Sequence, residues 1–249
     1  MKTFARLALA ASLAVSTAAV ADTVTIKYDN PVWAFGGDGM SVSHDSGATW
    51  LSSGAGEFEA TVVSHTGGIT DANFVDNKND LFLYCYDLLQ TIGNGQQVTY
   101  TVNYTGLTAR TLDFLGAVNY VLNGNSNTWS DPFAWLHPGG TEIGAAIQAG
   151  IWESLYDSGN DWNLGTGVLR VTGLESAATT EYALFRTAVL NGAVDDLSQS
   201  QTMLLASDSS QDQIAGHRST GRQELPEPAS IALVALGLAA AGFARRRRG

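Results

Sequence analysis

Apolar and polar residues follow strand-like patterns in several separate parts of the chain. Strands are predicted at residues 23–28, 58–63, 98–104, 168–171 and 202–206. Residues 81–89 are almost continuously apolar, which is typical of a strand covered on both faces. The glycine-rich stretches 36–39 and 52–56 predict loops, and Asn94-Gly95 is a hairpin signal before the strand at 98–104. Much of the chain is therefore expected to be β structure.

Apolar residues spaced three and four apart predict three helices between these strands. The helices are expected at residues 112–122, 141–157 and 175–190. Thr141 offers a hydroxyl for the N-cap of the second helix, and Ser158-Gly159 supplies its stop. Strands at both ends that enclose helices predict an α+β fold. We expect a β-rich body, sandwich- or barrel-like, with an inserted helical portion.

The N-terminus has the pattern of a secretory signal peptide. Lys2 and Arg6 provide the positive region, residues 7–15 the apolar region, and Ala19 and Ala21 the cleavage motif. The mature chain is expected to start at residue 22.

The C-terminus resembles the PEP-CTERM sorting tail. Pro226, Glu227 and Pro228 precede an apolar run at 229–244, and four arginines follow at 245–248. The alternative is a permanent tail anchor with cytoplasmic arginines, but the run is short for a span of roughly twenty residues. The resemblance implies export by a Gram-negative bacterium, transient membrane insertion through 229–244 and processing by an exosortase.

These ends give a domain organisation with one sizeable central domain. We predict a signal peptide at 1–21, an α+β domain at 22–206, a flexible linker at 207–224 and the sorting tail, with its helix, at 225–249. The net charge is −11, and removal of the two basic ends makes the rest more acidic still. An acidic surface disfavours nucleic acid and anionic membranes as partners.

Cys85 is the single cysteine, and it lies within the apolar stretch 81–89. One cysteine cannot form an internal disulfide, and an exposed free thiol in an exported protein would oxidise. Cys85 is therefore a buried inert residue, an intermolecular partner or a chemically protected thiol. Gln148 lies on an apolar stripe of the second helix beside Gly144 and Trp152. A buried amide must be hydrogen-bonded or chemically used.

The motifs around these two residues resemble those of the thioester domain, in which a cysteine thiol and a glutamine side chain condense into an internal thioester. Tyr84-Cys85-Tyr86 matches the cysteine motif of that family, and Gln148, Ile151 and Trp152 match its glutamine motif. Ile147 replaces the threonine that the family prefers, and Gly150 replaces its alanine. The resemblance covers residues 80–160.

The resemblance implies a covalent surface protein rather than an enzyme, with no cofactor and no metal. Cys85 would be the nucleophile, Gln148 the acyl donor, and Tyr84, Tyr86 and Trp152 the pocket walls. Proximity and exclusion of water would drive formation of the bond. An amine or hydroxyl on a surface partner, protein or polysaccharide, would then attack the acyl group. This role fits the cell surface or an extracellular matrix, including that of a biofilm.

Other interpretations remain open from the sequence. Cys85 and Gln148 can both be core residues of a non-covalent matrix protein. A cysteine hydrolase would need His44, His65 or His137 as its base. An intramolecular isopeptide bond would need Lys27 or Lys78. The polar segment 71–80 lacks the spacing of an EF-hand, so a plain loop is favoured there over a calcium site.

Overall fold

The computed structural model describes residues 21–192 and 197–219, and six of its strands close into an antiparallel barrel. These strands are β1 (Thr23–Trp33), β4 (Phe58–His65), β5 (Leu81–Cys85), β6 (Gln97–Asn103), β8 (Thr202–Ala206) and β9 (Gln213–Gly216). Their order around the barrel is β1–β4–β5–β9–β8–β6. Closure pairs every strand of the barrel on both sides and leaves no free edge. The prediction of a β-rich, barrel-like body is confirmed.

Three shorter strands form a second antiparallel sheet. They are β2 (Asp38–Ser43), β3 (Leu51–Ala55) and β7 (Arg170–Thr172), with β2 in the middle. The prediction of loops at 36–39 and 52–56 is therefore wrong for most of these residues. A Cβ added at Gly54 would lie 2.8 Å from the ring of Trp33, so this glycine serves close packing against the ring and not a turn.

The three predicted helices are present as α1 (Ala109–Leu122), α2 (Thr141–Tyr156) and α3 (Ser176–Asn191). They pack on one another and against the barrel wall. The prediction of Thr141 as the N-cap of α2 is wrong, because Gly140 occupies that position. The Thr141 hydroxyl instead donates to the carbonyl of Phe35 in the segment before β2.

The buried apolar side chains form two clusters on opposite faces of the barrel wall. The first fills the interior and takes residues from all six barrel strands, with Leu83 and Cys85 from β5. The second lies between the wall and the helices and contains Tyr84 from β5 with Phe114 from α1. The split follows from the alternation of side chains along a strand.

The end of the domain differs from the predicted organisation. Residues 207–219, expected to begin a flexible linker, contain β9, which lies between β5 and β8. Gln213, Ile214 and Ala215 are fully buried. The segment is rich in serine and aspartate, a composition typical of linkers, but its few apolar residues complete the barrel.

The Asn94-Gly95 turn also has a different role from the predicted hairpin. Strands β5 and β6 are not neighbours in the barrel, so the turn does not join a pair. The Asn94 side chain instead accepts a hydrogen bond from Val32 N at 2.9 Å, and Gly95 N donates to Asp29 O at 3.1 Å. The turn is therefore bound to β1.

The signal peptide and the sorting tail lie outside the described residues. Among the described helices, none is long and apolar enough to cross a membrane.

Candidate functional site around Cys85

Cys85 ends strand β5, where the ladder to β4 has already stopped. Strand β4 begins at Phe58, opposite Leu83, so no β4 residue pairs with Cys85. On the other side, Cys85 faces Gln213 of β9. Tyr86 N donates to Asp212 O, whereas Cys85 N points away from β9. Cys85 and Gln213 are thus a pair without mutual main-chain hydrogen bonds, the kind of pair that brings side chains closest.

Gln148 occupies the position that β4 leaves empty. Its carbonyl oxygen accepts a hydrogen bond from Cys85 N at 2.9 Å, and its amide nitrogen donates to Cys85 O at 2.8 Å. The structure therefore brings the two sequence-predicted residues together, and both polar ends of the amide bind the main chain of Cys85. Gln148 is fully buried, and these two bonds satisfy its amide.

The thiol of Cys85 contacts two other glutamines. Its Sγ donates to Gln211 Oε1 at 2.8 Å, and Gln213 Nε2 lies 3.8 Å from the sulfur. Gln213 Nε2 also donates to Gln211 O at 3.2 Å. The carbonyl oxygen of the Gln213 side chain is buried and accepts no hydrogen bond from any described residue. Three glutamine amides thus surround one buried cysteine.

The electrostatic environment favours the protonated thiol. Burial raises the pKa of the Cys85 thiol well above its usual value, and the Gln213 amide opposes this rise. Such a thiol is protected from oxidation and reacts only with a group held against it.

Gln211 is held in place from several directions. Its side-chain nitrogen donates to Asp87 O at 2.7 Å, and its main-chain carbonyl accepts from Tyr100 OH at 3.2 Å. Tyr100 OH in turn lies 2.7 Å from Tyr28 OH inside the barrel. Asp212 N, the next residue, donates to Asp87 Oδ2 at 2.8 Å. These contacts leave the carbonyl oxygen of Gln211 directed at the sulfur.

The predicted pocket walls divide between the two faces of the barrel wall. Trp152 lies in the same interior cluster as Cys85. Tyr84 and Tyr86 lie in the helix-side cluster, because they alternate with Cys85 along the chain. Tyr84 packs near Trp135, and Tyr86 OH accepts from Thr108 N at 3.3 Å. The expectation that these tyrosines line a pocket at the thiol is therefore wrong.

A surface cleft of about 390 Å³ lies beside Cys85. Cys85, Gln211 and Trp152 line it, together with residues of β1, β3, the start of β4 and the segment that follows β5. Its apolar wall includes Trp33 and Leu89, and Leu89 is 66% exposed. The cleft therefore ends beside a cysteine that is itself only 2% exposed.

The residues of the alternative chemistries lie elsewhere. His65 binds Asp71 at 2.9 Å, His137 binds Asp131 and Asp76, and His44 packs against Tyr156. The Cys85 thiol shows no hydrogen bond to a described histidine. Lys27 is exposed and Lys78 pairs with Asp71 at 3.3 Å. Within residues 21–192 and 197–219 no group of acids, histidines or cysteines has the arrangement of a metal site.

Sequence reasoning missed Gln211 and Gln213. Both lie in the polar stretch with the composition of a linker, where nothing local indicates burial. The one available signal was the Ile214-Ala215 pair after Gln213, which marks a short strand with few apolar residues.

A comparison with protein families identifies one segment. Residues 224–248 match the PEP-CTERM protein-sorting motif. In comparisons with curated proteins and with solved structures, no match to the chain was found. The motif is the C-terminal signal predicted from the sequence, and it indicates an exported protein that an exosortase processes for the cell surface.

Proposed function

We propose that this protein attaches covalently to surface partners through an internal thioester formed by Cys85 and a glutamine amide packed against it. Three buried glutamines contact the single cysteine through its thiol or its main chain, and this observation carries the proposal. The short motifs shared with thioester domains support it. Export supports it as well, because such a bond serves a protein that meets its partner outside the cell.

The arrangement supplies two requirements of the chemistry. Formation of a thioester from an amide needs the reacting groups held together, and the buried contacts of Cys85 with glutamine side chains provide this. Survival of the thioester needs exclusion of water, and the buried thiol provides that. The cleft then admits the amine or hydroxyl of a protein or polysaccharide to the acyl carbon.

In the proposed setting the producer is a Gram-negative bacterium, and the partner lies on a cell surface or in an extracellular matrix. The protein acts once per molecule, so it is not an enzyme. Attack on the thioester forms an amide or ester to the partner and frees the Cys85 thiol.

A labelled primary amine tests the proposal. The full chain, incubated with a fluorescent alkylamine and then denatured, is expected to retain about one label per chain. Cys85→Ala is the matched control and retains none. Equal labelling of both proteins, or no labelling of a folded wild type, would count against a thioester.

A second candidate is a non-covalent matrix protein, and the bonding of Gln148 favours it. Both polar ends of this amide bind main chain, as in a purely structural residue. This candidate predicts an unlabelled wild-type protein with a free thiol.

A further inference from the structure

We propose that Gln211, and not Gln148, supplies the acyl group of the thioester. This inference rests on the proposed function and concerns which of the glutamines at Cys85 reacts. It departs from the assignment that the sequence motifs imply.

The first argument is the position of the thiol. Cys85 Sγ lies 2.8 Å from Gln211 Oε1, a short separation for an atom as large as sulfur. A carbonyl bond is about 1.2 Å long, so the amide carbon of Gln211 lies within about 4 Å of the sulfur. Reacting atoms in a productive arrangement are about 3–3.5 Å apart, so a small rotation about the Gln211 side chain brings the carbon into reach.

The second argument is the state of Gln148. Its amide makes two good hydrogen bonds to the main chain of Cys85, and both groups are buried. Conversion of Gln148 into a thioester would remove the amide nitrogen and leave Cys85 O without a donor. A buried main-chain carbonyl left unpaired is destabilising, because its lost hydration is not replaced by a hydrogen bond. Gln148 therefore fixes the end of β5 and holds the cysteine in position.

The third argument is the access of a partner nucleophile to the thioester carbon. Gln211 and Cys85 both line the cleft, whereas Gln148 does not contribute to its wall within the described part of the chain. A thioester to Gln211 presents its acyl carbon to an incoming nucleophile. Gln148 is fully buried beside the end of β5, so an acyl group there would be closed to the same nucleophile.

The surrounding contacts suit a reaction at Gln211. Its nitrogen, which must leave as ammonia, donates to Asp87 O and keeps the oxygen facing the sulfur. The Tyr100 hydroxyl fixes its main chain. Gln213 Nε2 lies 3.8 Å from the sulfur and can stabilise negative charge that develops there.

The reaction balances without a further reagent. Cys85 Sγ forms a bond to the amide carbon of Gln211, the carbon–nitrogen bond breaks, and the thiol proton leaves on the ammonia. A partner amine then forms a bond to the same carbon and breaks the carbon–sulfur bond, and its proton returns to the Cys85 sulfur. No electron acceptor is needed in either step.

Peptide mapping after amine treatment tests this assignment. The full wild-type chain is treated with methylamine, denatured and digested with trypsin. Cleavage after arginine places Gln148 in peptide 111–170 and Gln211 in peptide 187–218. Fragment ions of peptide 187–218 separate Gln211 from Gln213. We expect a γ-glutamyl methylamide at Gln211 alone.

The outcomes separate this inference from the proposed function. A methylamide at Gln148 or Gln213 would overturn the assignment and leave the thioester standing. An unmodified chain with the full mass would overturn the thioester and the assignment together. Gln211→Ala is expected to abolish methylamine uptake. If that variant does not fold, the position of the label in the wild-type chain decides the question.

Discussion

The side chain of Gln148 occupies the position of a neighbouring strand at the end of β5 and makes the hydrogen bonds that such a strand would make. Strand β4 begins opposite Leu83, so the N–H and C=O of Cys85 have no partner strand on that side of the sheet. The side-chain amide of Gln148 uses one N–H donor and its carbonyl acceptor in the arrangement of a main-chain peptide. A residue on a helix thus completes the ladder of a strand.

The variant Gln148→Ala tests this role. It leaves two buried main-chain groups of Cys85 unpaired, which is expected to lower the free energy of unfolding by about 2–5 kcal/mol. Urea unfolding gives the change directly. Gln97→Ala, at an exposed position of β6, is the matched control and should change the stability by less than about 0.5 kcal/mol. If the two variants have the same free energy of unfolding, the two hydrogen bonds of Gln148 make no net contribution to stability.

Glu153 gives the domain a pH dependence at the scale of a single side chain. It is fully buried on α2, and Arg110 lies 3.5 Å from its Oε1. Burial raises the pKa of Glu153 to about 7, Asp157 adds to this rise, and Arg110 opposes it. In the unfolded chain the same carboxyl titrates near its ordinary pKa of about 4.5.

The sign of the effect follows from proton binding. Between these two pKa values the folded chain keeps the proton and the unfolded chain releases it, so stability falls as the pH rises from about 4.5 to about 7. The loss from Glu153 is roughly 2–4 kcal/mol. Glu153→Gln should lose less stability over this range, as measured by urea unfolding at pH 5 and pH 8. Glu142→Gln, exposed on the same helix, should behave as the wild type, and an unchanged slope in Glu153→Gln would contradict the assignment.

At the scale of elements, the contact between α1 and α2 depends on Gly150. A Cβ added there would lie 1.8 Å from Cζ of Phe114. The Phe114 ring is fully buried against Trp162, Tyr182 and Phe185, so it cannot move away. This packing explains why the chain has glycine where the resembled motif has alanine.

Gly150→Ala is therefore expected to destabilise the domain, although alanine is the better helix former. Overpacking costs about 1–3 kcal/mol and the gain in helix propensity returns about 1 kcal/mol. Thermal unfolding followed by circular dichroism measures the net loss. Gly39→Ala, where a new Cβ meets nothing within 4 Å, is the control. In the double variant Phe114→Leu/Gly150→Ala, the smaller side chain at 114 should recover part of the stability that Gly150→Ala loses. If the stability losses of the two single variants simply add in the double variant, the new Cβ and the Phe114 ring do not clash directly.

Periodic elements were predictable from the sequence, and elements made of small or polar residues were not. The three helices and the strands β1, β4, β6 and β8 follow from apolar spacing. Strands β2 and β3 contain several glycine and serine residues, and β9 lies in a polar stretch, so their burial depends on contacts with distant residues. Gln211 and Gln213 could not be predicted as site residues for the same reason. Their contacts with Cys85 exist only because β9 pairs with β5 in the closed barrel.

At the scale of the whole molecule, the strand that completes the barrel also completes the candidate site. Strand β9 joins β5 to β8 and carries Gln213, and the loop before it carries Gln211. Cys85, from the first half of the chain, contacts Gln211 and Gln213 because the last strand lies beside β5. The site therefore belongs to the folded domain as a whole, with the sorting motif at 224–248 following directly after it.

The intact mass of the freshly purified full chain tests the central claim most directly, with Cys85→Ala prepared in the same way as the reference. Formation of the thioester expels ammonia, so the wild type is expected to fall short of the mass of its sequence by about 17 Da. Methylamine should convert that species into an adduct, and Cys85→Ala should show neither change. A folded wild-type chain with its full mass and no adduct would contradict the account and leave Cys85 and its glutamines as core residues.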